Sequence, residues 1–447
     1  MQLETVLIIT AIYFSSRLPL LRRVPRGIDA NFHLLAAARF SKGRPPKVLG
    51  KFVLGDSYTY PSLLHFLLSL APERLRPKML FMLGVVSDYG IALLTYALAL
   101  QYMPEAYALA AAVLYSFTPI AYVESVSESP RSLGALWCCL SIVLLPQRGM
   151  LEIAIAAVTV ALTLLSHKMA TQILLLTCLI MSPFLISMNI FFPLTLLFGF
   201  TLALLLTRGR YMATLKDHAL GINFYLRHGS WDKGRKRPDS PKRLVKFQPF
   251  FYVPIAGLLL CPQTFLGETL PILVWSITVL VIYCVWLWGD GYRYFLYSAA
   301  PTAVLSIQLT YTLMNPLLIV PALFISVPVI GRSILNFFRK PVLPDFTKIV
   351  VPDDAVTLVM PSSITYVSAR HLNGKILIGG GGNIEGLSFE LETLPEMIKN
   401  APDQLIEKYN ITHMLIGPKE QDLIKPFTKR FEKTLETNGY TFYRRVK

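Results

Sequence analysis

The stretch Met79-Leu-Phe-Met-Leu-Gly-Val-Val-Ser-Asp-Tyr-Gly-Ile-Ala-Leu-Leu-Thr-Tyr-Ala-Leu-Ala-Leu-Gln101 decides the fold class. It carries one ionisable carboxylate, Asp88, in a run long enough to cross a bilayer, which takes ~20 mostly apolar residues. A second run, Met188–Thr207, has no charged residue. Lipid offers no partner for backbone N–H and C=O groups, so such runs are helices. Neither alternates apolar and polar residues as the strands of an outer-membrane barrel do. The whole chain agrees: only 16% of its residues are charged and 53% are hydrophobic, where a soluble domain carries about 25% charged residues.

Working outward at ~17–25 residues per span predicts about eleven transmembrane helices. They fall at 3–20, 79–101, 104–122, 132–146, 150–166, 168–186, 189–207, 249–263, 269–288, 294–311 and 315–335. The first lacks a basic lead-in and a cleavage site, so it reads as a retained span. Pro61–Leu70 is apolar but too short to span and reads as an interfacial or re-entrant helix. Residues 1–340 thus form a transmembrane domain, with first-loop interfacial helices at about 21–78.

Pro341–Pro344 marks a boundary, and the pattern changes over 345–447. Strands are expected at Ala355–Met360, Lys375–Gly379, Thr412–Ile416 and Tyr440–Arg444, and helices at Asp403–Tyr409 and Lys419–Glu436. Strands alternating with helices predict a small soluble α/β domain. Gly379–Gly382 lacks the Gly-Lys-Ser/Thr of a phosphate-binding loop and reads as a flexible loop. The predicted fold class is a polytopic α-helical membrane protein with a small C-terminal α/β domain.

Net charge is +16, yet from Asp345 onward 13 basic residues balance 13 acidic ones. The excess therefore belongs to the membrane part, where headgroups or a lipid-linked phosphate are the natural partners and nucleic acid is not. The five cysteines lie in or beside apolar runs and read as small buried hydrophobes, not as a disulfide frame or metal site.

Eleven spans put the loops at 21–78, 123–131, 167–168, 208–248 and 289–293, with the C-terminal domain, on one side. The other side keeps only short connections. The ionisable candidates collect on that first side. Asp29 and His33 stand four apart, so one helix face would carry both. Glu124 and Glu128 precede Arg131; they form either a capped polar turn or an acidic site. His167 and Lys168 sit between apolar runs, where ionisable groups mark a site or an interface. Gly289-Asp-Gly-Tyr-Arg293 offers Asp290 and Arg293. A guanidinium matches phosphate oxygens with a fork of donors and keeps its charge. It equally anchors an interface beside Tyr292 and Tyr294. Loop 208–248 holds eleven Lys/Arg and three Asp; it is a solvated basic loop, a headgroup contact or a lid.

The first loop, with Asp29-Ala-Asn-Phe-His33, Ser41-Lys-Gly43-Arg-Pro-Pro46 and Tyr60-Pro-Ser-Leu-Leu-His65, resembles that of the GT-C superfamily of membrane glycosyltransferases. It is distantly similar to the catalytic subunits of oligosaccharyltransferases. Pro130-Arg-Ser-Leu-Gly134, Ser166-His167 and Arg293-Tyr with Pro301 fit the same resemblance. It implies transfer of a sugar from a polyprenyl-phosphate or pyrophosphate carrier to a lipid, glycan or protein acceptor on the extracytoplasmic face of the plasma membrane. It implies Asp29 as the catalytic carboxylate and Arg293 on the lipid-linked phosphate. His33, His65, Glu124, Glu128, His167, Lys168 and Asp290 are substrate-binding candidates. No Cys/His cluster has ligand spacing, so a metal is not strongly implied; a divalent ion, Mg or Mn, on Asp29, Glu124 and Glu128 stays open. The chain departs from oligosaccharyltransferases in lacking Trp-Trp-Asp-Tyr-Gly and in having one acid, not a tight pair, in the first loop. The positive-inside rule puts loop 208–248 in the cytoplasm, against the resemblance, which is followed here. A transporter or flippase of a lipid-linked substrate is the rival reading; the spans show no paired halves.

Overall fold

A computed structural model describes residues 3–22, 28–40, 44–228, 241–285, 291–338, 343–379, 383–427 and 429–446. The chain divides into two compact units. The first comprises Met1–Arg23, Lys78–Met212 and Tyr225–Arg339; the second comprises Val24–Pro77, Ala213–Phe224 and Lys340–Lys447.

The first unit is helical, and helix occupies some part of every expected span. Among the described residues, four helices can cross a membrane by length and composition: Leu3–Leu20, Glu73–Ala99, Lys168–Met188 and Val320–Phe338. The number rises to six if two broken pairs each count as one span. Prolines account for two departures from expectation. The run 104–122 is not continuous: Glu105–Ser116 and Pro119–Ser125 meet at 60°, because Pro119 cannot donate the next helical hydrogen bond. The run 249–263 is split at Pro262 into Val253–Leu260 and Pro262–Leu266. Eight helical residues rise only about 12 Å, short of the ~30 Å hydrocarbon core. Loop 208–248 is also less of a loop than expected, since helices Tyr211–His228 and Pro241–Phe247 take up most of it; residues 229–240 lie outside the described residues.

Asp88 sits fully buried in this unit. Its carboxylate accepts from Tyr13 and Tyr115 hydroxyls, each at 2.5 Å, and faces the buried Arg17 guanidinium at 3.6 Å. Arg17 in turn donates to the Ser116 carbonyl at 2.6 Å and to Ser125 Oγ at 3.3 Å. The guanidinium also lies 3.9 Å from the Tyr13 ring centroid and 4.7 Å from that of Tyr122. One ion pair thereby ties together the helices Leu3–Arg17, Arg76–Ala99, Glu105–Ser116 and Pro119–Ser125. Gly84 permits a close approach: a Cβ there would stand 2.7 Å from the Ser125 carbonyl oxygen.

The second unit is built on a six-stranded sheet. Its strands are β1 (Phe52–Leu54), β2 (Val356–Met360), β3 (Lys375–Ile378), β4 (Ile411–Ile416), β5 (Phe431–Thr437) and β6 (Tyr440–Arg445), in the order β1-β3-β2-β4-β6-β5. The first four are parallel and the last two form an antiparallel hairpin. β2 is buried along its whole length, as a strand covered on both faces is. One face carries Phe32, Leu35, Phe52, Val359 and Tyr366; the other carries Leu358, Met360, Leu405, Ile406, Met414 and Phe427. The first loop is thus part of this domain. It supplies β1, which pairs Phe52 with Ile376 and Leu54 with Ile378, and the Ile28–Ala38 helix, whose Phe32 and Leu35 enter the core. Leu63–Ser69 is a short helix inside the expected run Pro61–Leu70.

The helix expected at Lys419–Glu436 is not there. Gln421–Phe427 is a 3-10 turn containing Pro426, and Phe431–Thr437 is β5. Asn438 and Gly439 both have positive φ, +52° and +79°, the two-residue hairpin turn whose twist suits paired strands.

Removing one member of a buried ion pair strands the other and costs about 3–5 kcal/mol. Asp88→Ala is expected to lower the thermal stability of the detergent-purified protein by that order. The Arg17→Leu/Asp88→Leu pair should lose less than the two single changes summed, as read from a double-mutant cycle.

Candidate functional site

In the second unit, the Ile28–Ala38 helix places Asp29 in its first turn, partly exposed, and His33 one turn later, 2% exposed. Core packing by Phe32 and Leu35 holds this helix. Arg370 adds a hydrogen bond, its Nη1 donating to Asn31 Oδ1 at 2.7 Å. His65 is fully buried. Its Nε2 lies 2.8 Å from His33 Nδ1, and its Nδ1 lies 2.5 Å from the Tyr58 hydroxyl. Phe32, Phe40 and Tyr60 ring the pair at centroid distances of 5.6, 6.1 and 5.7 Å from His65. Burial, and then His33, push the His65 pKa well below the usual imidazole value. Burial, and then Tyr60, push that of Tyr58 well above the usual phenol value. Two candidates that stand 32 residues apart therefore form one hydrogen-bonded chain with a third residue, Tyr58, which sequence reading missed.

In the first unit, the break at Pro119 turns the Pro119–Ser125 helix so that Glu124 is buried, 2.5 Å from Arg131 Nε. Ser127 Oγ donates to the same carboxylate at 3.1 Å. Glu128 is also buried, with φ +58°. A left-handed backbone at a non-glycine residue costs on the order of 1–2 kcal/mol and collects at functional sites. Arg131 opens the Arg131–Leu144 helix, and Gly134 lets that helix meet the His167 turn: a Cβ at Gly134 would lie 3.0 Å from both His167 Cβ and Ala170 Cβ. His167 caps the Lys168–Met188 helix, its Nδ1 accepting from the Met169 N–H at 3.2 Å. That cap leaves Nε2 as the protonated nitrogen whenever the ring is neutral.

Arg293 lies on the 3-10 segment Gly291–Ser298. This segment packs against the Pro119–Ser125, Arg131–Leu144 and Lys168–Met188 helices, and the Tyr294 hydroxyl donates to Gln172 Oε1. Glu124, Glu128, Arg131, His167, Lys168 and Arg293 thus come from elements gathered around one segment. Tyr292 carries further cations: Arg243 lies 5.1 Å from its ring centroid and Arg293 5.8 Å, with Phe247 stacked at 4.7 Å. Arg243 stood only within the basic loop in the sequence. The Tyr297 hydroxyl is buried without a hydrogen-bond partner among the described residues, within electrostatic reach of Arg131 and Glu124. Asp290 lies outside the described residues, as do Gly289 and the Ser41–Gly43 stretch.

Among the described residues, no three His, Cys, Asp or Glu side chains come together as a metal site, and the Glu124 carboxylate is already matched by Arg131. No step below is routed through a metal.

No family model and no curated protein sequence matches the chain. Solved structures do. The Archaeoglobus fulgidus oligosaccharyltransferase in complex with Zn and sulfate aligns with TM-score 0.57 and 15% identity, over 93% of this chain and 68% of that one. The same enzyme tethered to an acceptor peptide containing the NVT sequon aligns with TM-score 0.58 and 13% identity, over 100% and 74%. ArnT from Cupriavidus metallidurans bound to undecaprenyl phosphate aligns with TM-score 0.60 and 11% identity, over 99% of this chain and 97% of that one. At such identities the likeness shows a shared fold and nothing finer.

Proposed function

We propose that this chain is an inverting membrane glycosyltransferase that moves a hexosyl or pentosyl group from a polyprenyl-phosphate or pyrophosphate carrier to an acceptor hydroxyl. The observation that carries this reading is the nearly end-to-end alignment with ArnT in its undecaprenyl-phosphate complex. Arg293, in a segment packed among the helices bearing Glu124, Arg131 and Lys168, supports it.

In this reading Asp29 is the general base. It takes the acceptor's hydroxyl proton as that oxygen bonds to the anomeric carbon. The bond from that carbon to the carrier phosphate breaks, and its electron pair leaves with the phosphate. Attack opposite the leaving group inverts the configuration. Arg293 and Lys168 neutralise the charge growing on the leaving phosphate, the interaction that strengthens most toward the transition state. Tyr297 has a hydroxyl to offer a bound oxygen. The missing Trp-Trp-Asp-Tyr-Gly stretch favours a lipid or glycan acceptor over a sequon peptide. In this reading the site faces the extracytoplasmic side of the plasma membrane, and the C-terminal domain lies on that side. A carrier flippase is less favoured, because Asp88 is already bound by Tyr13, Tyr115 and Arg17 and so is not a poised mid-membrane ion site.

Three outcomes follow. Asp29→Asn should cut transfer of radiolabelled sugar from a polyprenyl-phosphate donor by roughly 10²–10⁴-fold, with unchanged membrane insertion; full activity would remove Asp29 from the mechanism. Arg293→Ala should lower kcat/KM for the donor by about 10²–10³-fold, and Arg293→Lys should recover only part of it. Lys242→Cys, at an exposed position, should react with a membrane-impermeant maleimide added outside whole cells. Labelling only in inside-out vesicles would place this face in the cytoplasm.

A further inference from the structure

The apolar helix Phe192–Leu206 carries no charge and ends on two exposed residues, Leu205 and Leu206. A tight corner follows. Arg208 and Gly209 take left-handed backbone, with φ +53° and +80°. The Gly209 N–H donates to the Leu204 carbonyl at 2.8 Å, and the Tyr211 N–H donates to Thr207 Oγ1 at 3.1 Å. The chain resumes as the Tyr211–His228 helix, whose Tyr211–Phe224 part is bent 112° from Phe192–Leu206. With the preceding helix in the bilayer at the usual tilt of about 20°, such a helix runs closer to the bilayer plane than to its normal.

The two faces of this helix differ. Thr214, Asp217 and Phe224 are buried, and the Asp217 carboxylate accepts from the Ile384 N–H at 3.0 Å. Opposite them Met212, Lys216, Leu220, Asn223, Leu226 and Arg227 are exposed, at the spacing of one helical stripe. Met212, Leu220 and Leu226 are 53%, 46% and 57% exposed, a row of large apolar side chains that a face bathed in water does not favour. From Arg208 to Arg227 the charged residues are Arg208, Arg210, Lys216 and Arg227 against Asp217 alone, and Asp217 is turned inward. Apolar side chains interleaved with long cationic ones suit the boundary between acyl chains and headgroups, where phosphate complements the charge. Met212 follows Leu206 with only the corner between them, so the stripe starts where the exposed apolar surface of the preceding helix ends. We propose that the Tyr211–His228 helix lies on the bilayer surface and binds anionic phospholipid headgroups through Lys216 and Arg227, with Met212, Leu220 and Leu226 at the acyl boundary. Of the roles open to the basic loop, this assigns headgroup contact to its first helix. The assignment does not rest on the glycosyltransferase reading.

Spin-label depth measurements on the full-length protein in nanodiscs test this. Nitroxides at Met212→Cys, Leu220→Cys and Leu226→Cys, with the unsubstituted protein as the labelling blank, are compared with one at Lys433→Cys, an exposed position on β5. The three helix positions should favour oxygen over a water-soluble nickel chelate, relative to Lys433→Cys, as side chains about 5–10 Å into the headgroup and acyl boundary do. Chelate access equal to that at Lys433→Cys would overturn the proposal. So would exclusion of both probes, the mark of a protein partner or a second copy on this face. The charge half is read in phosphatidylcholine nanodiscs with and without phosphatidylglycerol. The oxygen preference at Leu220→Cys should grow when phosphatidylglycerol is present, and Lys216→Glu with Arg227→Glu should abolish that growth. High salt should abolish it as well. An oxygen preference indifferent to phosphatidylglycerol, or a dependence on it that survives the charge reversal, would overturn the assignment of the headgroup.

Discussion

The buried pairing of Arg17 with Asp88 organises the helical unit. Neither charge reaches solvent, and an isolated charge in such surroundings is expensive. Each is therefore held by every neighbour able to satisfy it: two tyrosine hydroxyls on the carboxylate, and a carbonyl, serine oxygens and aromatic faces on the guanidinium. These partners come from four helices, so the pair fixes their relative placement. One of them, Ser125, is next to Glu124. The ion pair at Glu124 and Arg131 is in this sense built upon the one at Arg17 and Asp88. The pairing also settles how the acid in the middle of Met79–Gln101 is used: Asp88 is a structural tie.

Much of the fold was legible because membrane helices and buried strands obey simple rules. Apolar runs located helices throughout 1–340, and the β2, β3, β4 and β6 strands fell close to their predicted places. The misreadings have specific causes. Pro119 and Pro262 sit in apolar stretches, where composition argued for continuity and the missing N–H argued against it. Most of Phe431–Thr437 fell within the helix expected at Lys419–Glu436, while the Asn438-Gly439 turn that makes it a strand lies just beyond its end. β1 is three residues long, too short for any alternation to register.

The candidate site divides in the same way. Asp29 and His33 were legible as neighbours because one helical turn separates them. His33 and His65 were each legible as candidates, but their direct bond depends on how the loop folds back through Leu63–Ser69, which no local pattern encodes. Tyr58 gave a weaker signal still, one aromatic among several. Gly134 is the reverse case. It stood in the sequence as part of a familiar stretch, and the structure supplies a reason: a side chain there would crowd His167 and Ala170, its Cβ standing 3.0 Å from the Cβ of each. The first loop changes meaning most. Its helix and β1 strand lie in the core of the sheet domain, so the helix that bears Asp29 is held by that domain's packing.

Bond cleavage separates sugar transfer from sugar-lipid transport. The most direct measurement follows purified protein in proteoliposomes with a polyprenyl-phosphate sugar of defined anomeric configuration, and reads both the free carrier phosphate and the configuration of the product. The result expected is one carrier phosphate released for each sugar transferred, with the anomeric configuration inverted in the product. Donor that crosses the bilayer intact, with no phosphate released, would contradict it.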